Sequence, residues 1–250
     1  MAASAKSKGR PGVVLAGNPN AGKSTVFNAL TGARQHVGNW PGKTVDVKSG
    51  TARWNGTEVT LVDLPGAYSL SAHSLEEVIA RDFILEERPD VAIVVADATN
   101  LERNLYLVVQ VLELGVPAAL ALNMMDLAQA QGAVIDVDLR SRLLGIPVTP
   151  TVGTRRQGVH DLLQKAVAEA QPQPKIVDYG RQMEEELARL EPPLLDLLQS
   201  AAPRHTTLKL LEGDKRIDQA LGASPAAEAL RSQARAAAER IQALYGDDLE

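Results

Sequence analysis

Short apolar runs alternate with amphipathic stretches through the first part of the chain. Continuous apolar runs are typical of strands buried on both faces, and apolar residues at helical spacing predict helices that cover them. The predicted strands span residues 13–16, 45–54, 57–62, 91–96, 118–122 and 146–149. The predicted helices span residues 24–30, 75–87, 104–114, 138–144 and 159–170. This alternation predicts an α/β fold with a mostly parallel sheet flanked by helices.

The dipeptide Asn55-Gly56 predicts a hairpin between the strands at 45–54 and 57–62, which adds one antiparallel strand to the sheet. Both residues tolerate positive φ, and Asn-Gly between two strand patterns is the strongest short hairpin signal. In open α/β sheets, ligands bind beyond the carboxyl ends of the strands. Polar and glycine-rich segments that directly follow predicted strands are therefore the candidates for a functional site.

The pattern changes after Gln171-Pro172-Gln173-Pro174, whose composition indicates a linker. No strand is predicted beyond it. The predicted helices there span residues 181–190, 194–200, 206–211 and 215–221, the first two separated by Pro192-Pro193. Ser224 and Pro225 are expected to begin a long helix that ends near Tyr245. The predicted organisation is a disordered lead-in at 1–11, an α/β domain at 12–170, a linker at 171–175 and a small all-helical subdomain at 176–250.

Composition and charge narrow the class of protein. The 250 residues are 45% hydrophobic, carry a formal net charge of −5 and include no cysteine. The acidic balance argues against nucleic acid as the main partner, because phosphate backbones are bound by clustered basic surfaces, although a local basic patch stays open. Without cysteine, neither a disulfide framework nor a thiolate metal site can form. The polar N-terminus lacks the apolar segment of a signal peptide, and no run reaches the ~18 apolar residues that span a bilayer, so the chain as given is expected to be soluble.

A phosphate-binding loop is predicted between the first strand and the first helix. Residues 17–24 match the pattern G-x-x-x-x-G-K-[ST]. Backbone N–H groups of such a loop surround the β-phosphate, and the following helix points the positive end of its dipole at the anion. Lys23 is expected to bridge β- and γ-oxygens, and the Ser24 hydroxyl to ligate Mg²⁺. The candidate nucleotide contacts here are Gly17, Asn18, Asn20, Ala21, Gly22, Lys23, Ser24 and Thr25.

Two further segments are candidates for contact with Mg²⁺ and the γ-phosphate. Asp63 and Gly66 belong to a D-x-x-G sequence that follows a predicted strand. Asp63 is expected to hold Mg²⁺, usually through water, and the Gly66 N–H to approach the γ-phosphate. Thr44 ends the Gly- and Pro-rich stretch 37–44, and such a loop can close on Mg²⁺ and γ-phosphate and reopen after hydrolysis. An ordinary surface loop, with Thr44 beginning a strand, is the alternative.

Two segments are candidates for base recognition. Residues 123–126 form an N-x-x-D sequence after the strand predicted at 118–122. The Asp126 carboxylate can accept both N–H donors on the edge of guanine, whereas adenine offers no such pair. Asn123 is expected to tie neighbouring loops together, and Met124 to pack on the ring face where Lys is usual. A loop Asn and a helix-capping Asp are the alternative.

The second candidate segment for base recognition follows the last predicted strand. Val152, Gly153 and Thr154 are expected to offer backbone N–H groups to the guanine O6. This assignment depends on position in the fold more than on residue identity.

In this order, the five motifs resemble those of a translation-factor-class small GTPase, which implies a P-loop GTPase fold. Longer stretches look together like the FeoB family of bacterial ferrous-iron transporters. These stretches are residues 17–20, 37–44, 63–70, 97–105 and 123–126. The resemblance is close over residues 12–170, whereas residues 175–250 resemble that family's helical subdomain in architecture only.

The resemblance implies a G domain that binds GTP and GDP, hydrolyses GTP with Mg²⁺ and is tethered to a transmembrane domain that moves Fe²⁺. It implies a location at the cytoplasmic face of the bacterial inner membrane, with small cytosolic proteins as possible regulatory partners. No iron-binding site is predicted in this chain. Whether hydrolysis drives or regulates iron passage stays open.

The resemblance also implies catalytic roles for Asn20, Lys23, Thr44 and Gly66. Ala67 stands where many GTPases have a water-orienting Gln, and no arginine finger can be assigned from the sequence. The Asn20 carbonyl oxygen is instead expected to ligate K⁺, together with nucleotide oxygens and backbone carbonyls near residues 38–40. A simple capping role for Asn20 is the alternative.

Gly153 departs from the family pattern, which often has Ser or Ala there. Since the guanine loop acts through backbone groups, binding is expected to survive. The greater freedom of glycine is expected to loosen the loop and change GDP release.

Two other functions stay open at this point. A soluble RNA- or ribosome-associated GTPase would require a basic RNA-binding domain, and a nucleotide-binding adaptor would bind without turnover. The histidines share no ligand spacing and are expected to be surface or capping residues; they are His36, His73, His160 and His205. The acidic runs at 184–186 and 247–248 are expected to be solvated.

Overall fold

The computed structural model describes residues 12–32, 35–39, 46–71, 74–170 and 177–246, of which 35–39 and 46 are described by their backbone only. Thr44 and His73, as well as the Pro/Gln segment 171–174, lie outside these ranges. The chain divides into two compact units, Met1–Lys175 and Ile176–Glu250.

The first unit contains a seven-stranded sheet in the order β2-β3-β4-β1-β5-β6-β7. The strands are β1 Gly12–Gly17, β2 Gln35–Asn39, β3 Asp46–Trp54, β4 Thr57–Asp63, β5 Val91–Asp97, β6 Ala118–Asn123 and β7 Val148–Pro150. Only β3 runs against its neighbours, because it pairs antiparallel with both β2 and β4 while the other described pairs are parallel. The predicted fold class, a mostly parallel sheet with one antiparallel strand, is confirmed.

The hairpin between β3 and β4 turns where the sequence predicts. Asn55 has φ of 46° and Gly56 has φ of 81°, so both central residues adopt the left-handed conformation that an Asn-Gly turn favours.

Strand β2 was not predicted, because residues 37–44 were interpreted as a loop. The segment has no alternation of apolar and polar residues, yet its backbone pairs with β3 from Gln35 opposite Gly50 to Asn39 opposite Asp46. An edge strand of this kind is held by backbone hydrogen bonds to one neighbour, which leave little signature in the side chains.

Six α-helices accompany the sheet within the described residues of this unit: α1 Lys23–Thr31, α2 Leu75–Glu87, α3 Leu101–Glu113, α4 Met125–Ala130, α5 Val137–Leu144 and α6 Val159–Glu169. Side-chain capping explains where two of them begin. The Ser74 hydroxyl accepts from the Glu77 N–H at the start of α2, and the Asp136 carboxylate accepts from the Leu139 N–H at the start of α5. The short helix α4 was not predicted.

The core of this unit buries the central strands completely. Every residue of β1 and β6 is buried, as the continuous apolar runs predict. Helices α1 and α6 cover the sheet with Phe27 and Leu162, which pack against strand residues such as Leu15, Leu61 and Ile93. Burial of a large apolar side chain contributes about 1.5–3 kcal/mol to folding, so this layer fixes the strand ends that carry the candidate site.

The second unit is helical in its described residues. Its helices are α7 Arg181–Leu197, α8 Pro203–Leu211, α9 Lys215–Leu221 and α10 Pro225–Tyr245. It has its own apolar core, which includes Leu190, Leu194, Leu208, Leu230 and Ile241. Ser224 caps α10 by accepting from the Ala227 N–H, and Pro225 occupies the first turn, as predicted.

The prediction of two helices around Pro192-Pro193 is wrong, because α7 continues through both prolines. Proline removes a backbone donor and normally breaks a helix. Here Leu187, Leu190 and Leu194 fall at helical spacing on one buried face, at 2%, 1% and 0% exposure. Packing of that face against the core of the unit outweighs the local cost.

His205 was expected to be a surface or capping residue, and the surface alternative is wrong, since His205 is only 4% exposed within α8. Among the helices that the structure describes, none is both long enough and apolar enough to cross a bilayer.

Candidate nucleotide-binding site

The phosphate loop joins β1 to α1 and contains two glycines at which an added Cβ would clash. A Cβ on Gly17 would lie 2.5 Å from the Val95 carbonyl oxygen, and one on Gly22 would lie 2.1 Å from Asn123 Nδ2. Gly22 is also left-handed, with φ of 86°, at the N-cap of α1. The N-cap makes no side-chain hydrogen bond and the first turn carries no acidic residue, so the positive end of α1 is suited to an anion.

An ammonium, a carboxylate and a hydroxyl group meet at this helix end. The Lys23 ammonium forms a buried ion pair with Asp63 Oδ1, with 10% and 4% of the two side chains exposed. The Ser24 hydroxyl donates to Asp63 Oδ2 at 3.2 Å. A hydroxyl and a carboxylate are the hard oxygen ligands that Mg²⁺ prefers, and a lysine suits phosphate oxygens. These residues therefore fit a magnesium-bound polyphosphate.

The D-x-x-G segment runs directly along the phosphate loop. The Leu64 N–H donates to the Leu15 carbonyl at 3.0 Å, and the Ala67 N–H donates to the Gly17 carbonyl at 3.2 Å. A Cβ on Gly66 would lie 3.3 Å from Pro19 Cα. The absence of a side chain at Gly66 thus permits close approach of the two backbones.

Asn123 connects three segments on the other side of the loop. Its Nδ2 donates to the Ala21 carbonyl at 2.9 Å, and its Oδ1 accepts from the Gly153 N–H at 2.9 Å. The Thr151 hydroxyl also lies 3.3 Å from Asn123 Oδ1. Asn123 is 3% exposed, so these bonds form away from water and hold the phosphate loop, β6 and the loop after β7 in one arrangement.

Asp126 lies in the first turn of α4, beside the loop after β7. Its Oδ1 accepts from the Leu127 N–H at 3.0 Å, and its Oδ2 lies 3.6 Å from Arg155 Nη2. Met124 precedes α4 in a left-handed conformation with φ of 62°. A Cβ on Gly22 would lie 3.6 Å from the Met124 methyl, so this side chain reaches the phosphate loop.

The loop after β7 packs closely on α1. A Cβ on Gly153 would lie 3.3 Å from both Asn123 Oδ1 and Thr25 Cγ2, which is a tight fit. Val152 is buried, whereas Thr154 is exposed. The Arg155 N–H donates to the Val152 carbonyl at 3.0 Å and closes the turn.

The remaining phosphate-loop residues differ in exposure. Asn20 is exposed and left-handed, with φ of 68°. Asn18 is 4% exposed, and neither polar atom of its amide has a hydrogen-bond partner among the residues that the structure describes. The structure thus brings together the predicted residues 17–25, 63, 66, 123–126 and 152–154, while Thr44 lies outside the described residues.

Two residues of the site have side-chain contacts that were not predicted from the sequence. Thr151 directly follows β7, and its buried hydroxyl bonds both the Leu122 carbonyl and Asn123. A polar residue directly after a buried strand was the available signal for it. Arg155 pairs with Asp126, and nothing in its sequence surroundings distinguishes it from Arg156.

Comparison with known protein families matches both parts of the chain. The family described as ferrous iron transport protein B matches residues 12–166, and the FeoB cytosolic helical domain matches residues 179–250. The Fe(2+) transporter FeoB of Escherichia coli K12 is 47% identical over 209 residues, which cover 80% of this chain and 26% of that protein. A Porphyromonas gingivalis protein, named as a fusion of Fe(2+) transport protein A and FeoB, is 41% identical over 222 residues, which cover 85% of this chain and 26% of the fusion.

Two solved structures give the same result. The cytosolic domain of T. maritima FeoB in its GMPPNP form shares 37% identity with a TM-score of 0.77, covering 93% of this chain and 97% of that one. A point mutant of S. thermophilus NFeoB bound to mGDP shares 36% identity with a TM-score of 0.85, covering 95% of this chain and 91% of that one. The chain thus spans about a quarter of the length of the full-length relatives, at 26% for the two quoted, and nearly all of these cytosolic fragments.

Proposed function

The chain belongs to the FeoB family of ferrous iron transport proteins, and on that premise we propose that it binds GTP and GDP and hydrolyses GTP to GDP and phosphate. One observation carries the proposal. Lys23, Ser24 and Asp63 meet at the open N-terminus of α1, and Asn123 ties this place to the loop that carries Asp126. Groups that can bind phosphate and guanine therefore lie together at the carboxyl ends of the strands.

On the phosphate side, we assign Ser24 and Asp63 to hold Mg²⁺, with Thr44 as a third ligand when the loop closes. The ion, when bound, neutralises charge on the β- and γ-phosphates. Lys23 would bond the β- and γ-oxygens, and backbone N–H groups of the phosphate loop would surround the β-phosphate. The Gly66 N–H would approach the γ-phosphate and help to orient the attacking water.

Nucleotide binding requires an exchange of partners within a buried ion pair. Lys23 and Asp63 neutralise each other in the present structure. A phosphate that binds Lys23 leaves Asp63 without its cation, and a buried unpaired carboxylate is costly. Nucleotide and Mg²⁺ are therefore expected to bind together, the phosphate to Lys23 and the metal to Asp63 and Ser24.

On the base side, the Asp126 carboxylate would accept from the two N–H donors of guanine. Of the three N–H groups predicted to face O6, that of Val152 donates to the Gln157 carbonyl and that of Gly153 to Asn123, so the Thr154 N–H is left to face O6. The Met124 side chain would pack on the ring. The Gly153 N–H now donates to Asn123, which fixes this turn beside the base position.

The missing arginine finger leads to a further part of the proposal. Ala67 provides no polar side chain, and we assign to Asn20 the ligation of K⁺ at the place where that charge is needed. Asn20 is exposed in the phosphate loop. Part of the ~10³–10⁵ rate factor that an arginine finger supplies would be recovered in this way.

We further propose that this domain regulates or drives the passage of Fe²⁺ through a covalently linked transmembrane domain, at the cytoplasmic face of the bacterial inner membrane. The curated relatives are named Fe(2+) transporters and are about four times as long as the matched segment, which covers 26% of the E. coli protein. Small cytosolic proteins are candidate regulators, since one relative is a fusion with Fe(2+) transport protein A.

The test is single-turnover hydrolysis of GTP and of ATP by the purified chain with Mg²⁺. We expect turnover of GTP only, and loss of turnover in Lys23→Ala and Thr44→Ala. Equal use of ATP would contradict the guanine assignment, and binding without turnover would indicate an adaptor. The same assay in matched KCl and NaCl tests Asn20: the wild type should be faster in KCl, and Asn20→Ala should remove the difference.

A further inference from the structure

Arg155 is an exposed cation beside the proposed guanine-reading carboxylate. Its Nη2 lies 3.6 Å from Asp126 Oδ2, with 65% of the Arg155 side chain and 28% of the Asp126 side chain exposed. The proposed function gives Arg155 no role, because the turn before it was expected to act through backbone N–H groups.

The backbone holds both ends of this pair. Arg155 closes the 3₁₀ turn Gly153–Arg155 through its N–H bond to the Val152 carbonyl, and Gly153 is bonded to the buried Asn123. On the other side, the Met125 N–H donates to the Thr151 carbonyl at 3.3 Å, so α4 begins against the same loop. The folded loops therefore fix the backbone positions from which Arg155 and Asp126 approach each other.

Guanine offers two parallel N–H donors, so its reader must present both carboxylate oxygens in the plane of the base. The terminal torsion of an Asp side chain is broad, and a carboxylate held at one oxygen can still turn. Asp126 is held at both oxygens, by the Leu127 N–H on Oδ1 and by the Arg155 charge near Oδ2.

These two restraints leave the carboxylate able to bind the base. Each carboxylate oxygen has two acceptor sites, and the 3.6 Å separation is longer than a hydrogen bond. Arg155 thus acts through its charge, without occupying the lone pairs that guanine needs. We propose that Arg155 is a positioning residue for guanine recognition, acting through Asp126; this inference rests on the proposed function.

The experiment is a double-mutant cycle on nucleotide affinity, with the purified chain, GDP and Mg²⁺. Exposed ion pairs are weak, so Arg155→Ala should lower GDP affinity about two- to fivefold. In an Asp126→Ala background the same change should have almost no effect, whereas an effect on the turn alone would persist. Arg155→Lys, which keeps the charge, should restore most of the affinity. Arg156→Ala is the matched control, because Arg156 is also an exposed arginine and has no described ion pair to Asp126.

IDP, which lacks the 2-amino group, provides the second measurement. The ratio of GDP to IDP affinity should fall in Arg155→Ala. A carboxylate that turns freely would bind the guanine 2-amino group less strongly. An unchanged ratio, a tighter GDP complex in Arg155→Ala, or an equal loss in both backgrounds would each overturn the inference. A wild-type chain that binds ADP as well as GDP would instead contradict the proposed function itself.

Discussion

Among individual residues, Asn123 is the most constrained part of the candidate site. A Cβ on Gly22 would clash with its amide nitrogen, and its oxygen accepts two further hydrogen bonds. Removal of such a buried side chain leaves several polar groups unpaired, each at a cost of about 1–3 kcal/mol. The requirement for Asn123 is therefore a structural one even before any nucleotide is considered.

A substitution at Asp126 that exchanges a single atom tests the choice of base. Asp126→Asn replaces one acceptor by a donor, which opposes the guanine 2-amino group and suits the C2 carbonyl of xanthine. The loss of GTP affinity should be about 2–4 kcal/mol, with a gain for XTP. Competition of GTP and XTP for the wild type and the variant measures this. A variant that keeps its preference for GTP would show that another group reads the base.

A site residue could be predicted where a local sequence pattern marks it, and could not where its role depends on a tertiary contact. Lys23 and Ser24 are recognisable because one contiguous segment provides the glycines, the lysine and the helix start. Asp63 is recognisable because it ends a strand that pairs with β1 in parallel register. Arg155 gave no signal, because its role depends on which of two adjacent arginines the 3₁₀ turn directs towards Asp126.

At the scale of elements, strong patterns were predictable and weak ones depended on tertiary contacts. Helix α2 has the predicted bounds, since Ser74 caps it and apolar residues recur on one face. Strand β2 and helix α4 are short and lack a strong apolar pattern, so contacts with neighbouring segments determine their conformation. Helix α7 shows the opposite case, in which a strong local breaker is overruled by a buried leucine face.

Helices α7 and α10 are joined by one carboxylate whose titration can be followed. Arg240 bonds Glu186 through both oxygens at 2.8 and 2.9 Å, and Arg189 adds a bond at 2.9 Å. These bonds, that from Arg240 above all, hold the pKa of Glu186 below its ordinary value. The contribution to stability is thus complete above the unfolded-state pKa of about 4.3, and it is lost as the pH falls through the lower folded-state pKa.

We therefore expect Glu186→Gln to cost about 1–2 kcal/mol at pH 7, a value reduced for the half-exposed Arg240. The difference from the wild type should hold down to about pH 5 and shrink towards pH 3. Urea unfolding at several pH values measures it. Glu185→Gln is the control, because the Glu185–Arg181 pair on the same helix is far more exposed. A difference independent of pH would show that packing, and not charge, makes the contribution.

For the whole molecule, each of the two units has its own apolar core, and this leads to a prediction about their independence. The buried core residues of the second unit come from α7, α8, α9 and α10, and flanking residues such as Tyr179 and Leu198 pack against them. We expect a separate chain of residues 176–250 to fold, with a helical circular dichroism spectrum and a single cooperative unfolding transition. A domain of this size has a small core, so its stability should be only a few kcal/mol.

Two adjacent leucines make this prediction specific. Leu194 is 0% exposed in the core, and Leu195 beside it is 36% exposed. Leu194→Ala should cost about 2–5 kcal/mol and unfold much of the separate unit, whereas Leu195→Ala should have little effect. In the full chain, Leu194→Ala should leave GDP affinity unchanged if the first unit folds by itself, because every residue of the proposed nucleotide site belongs to that unit. A loss of GDP affinity in the Leu194→Ala full chain would show that the nucleotide site requires the helical unit. The two units would then form one cooperative structure.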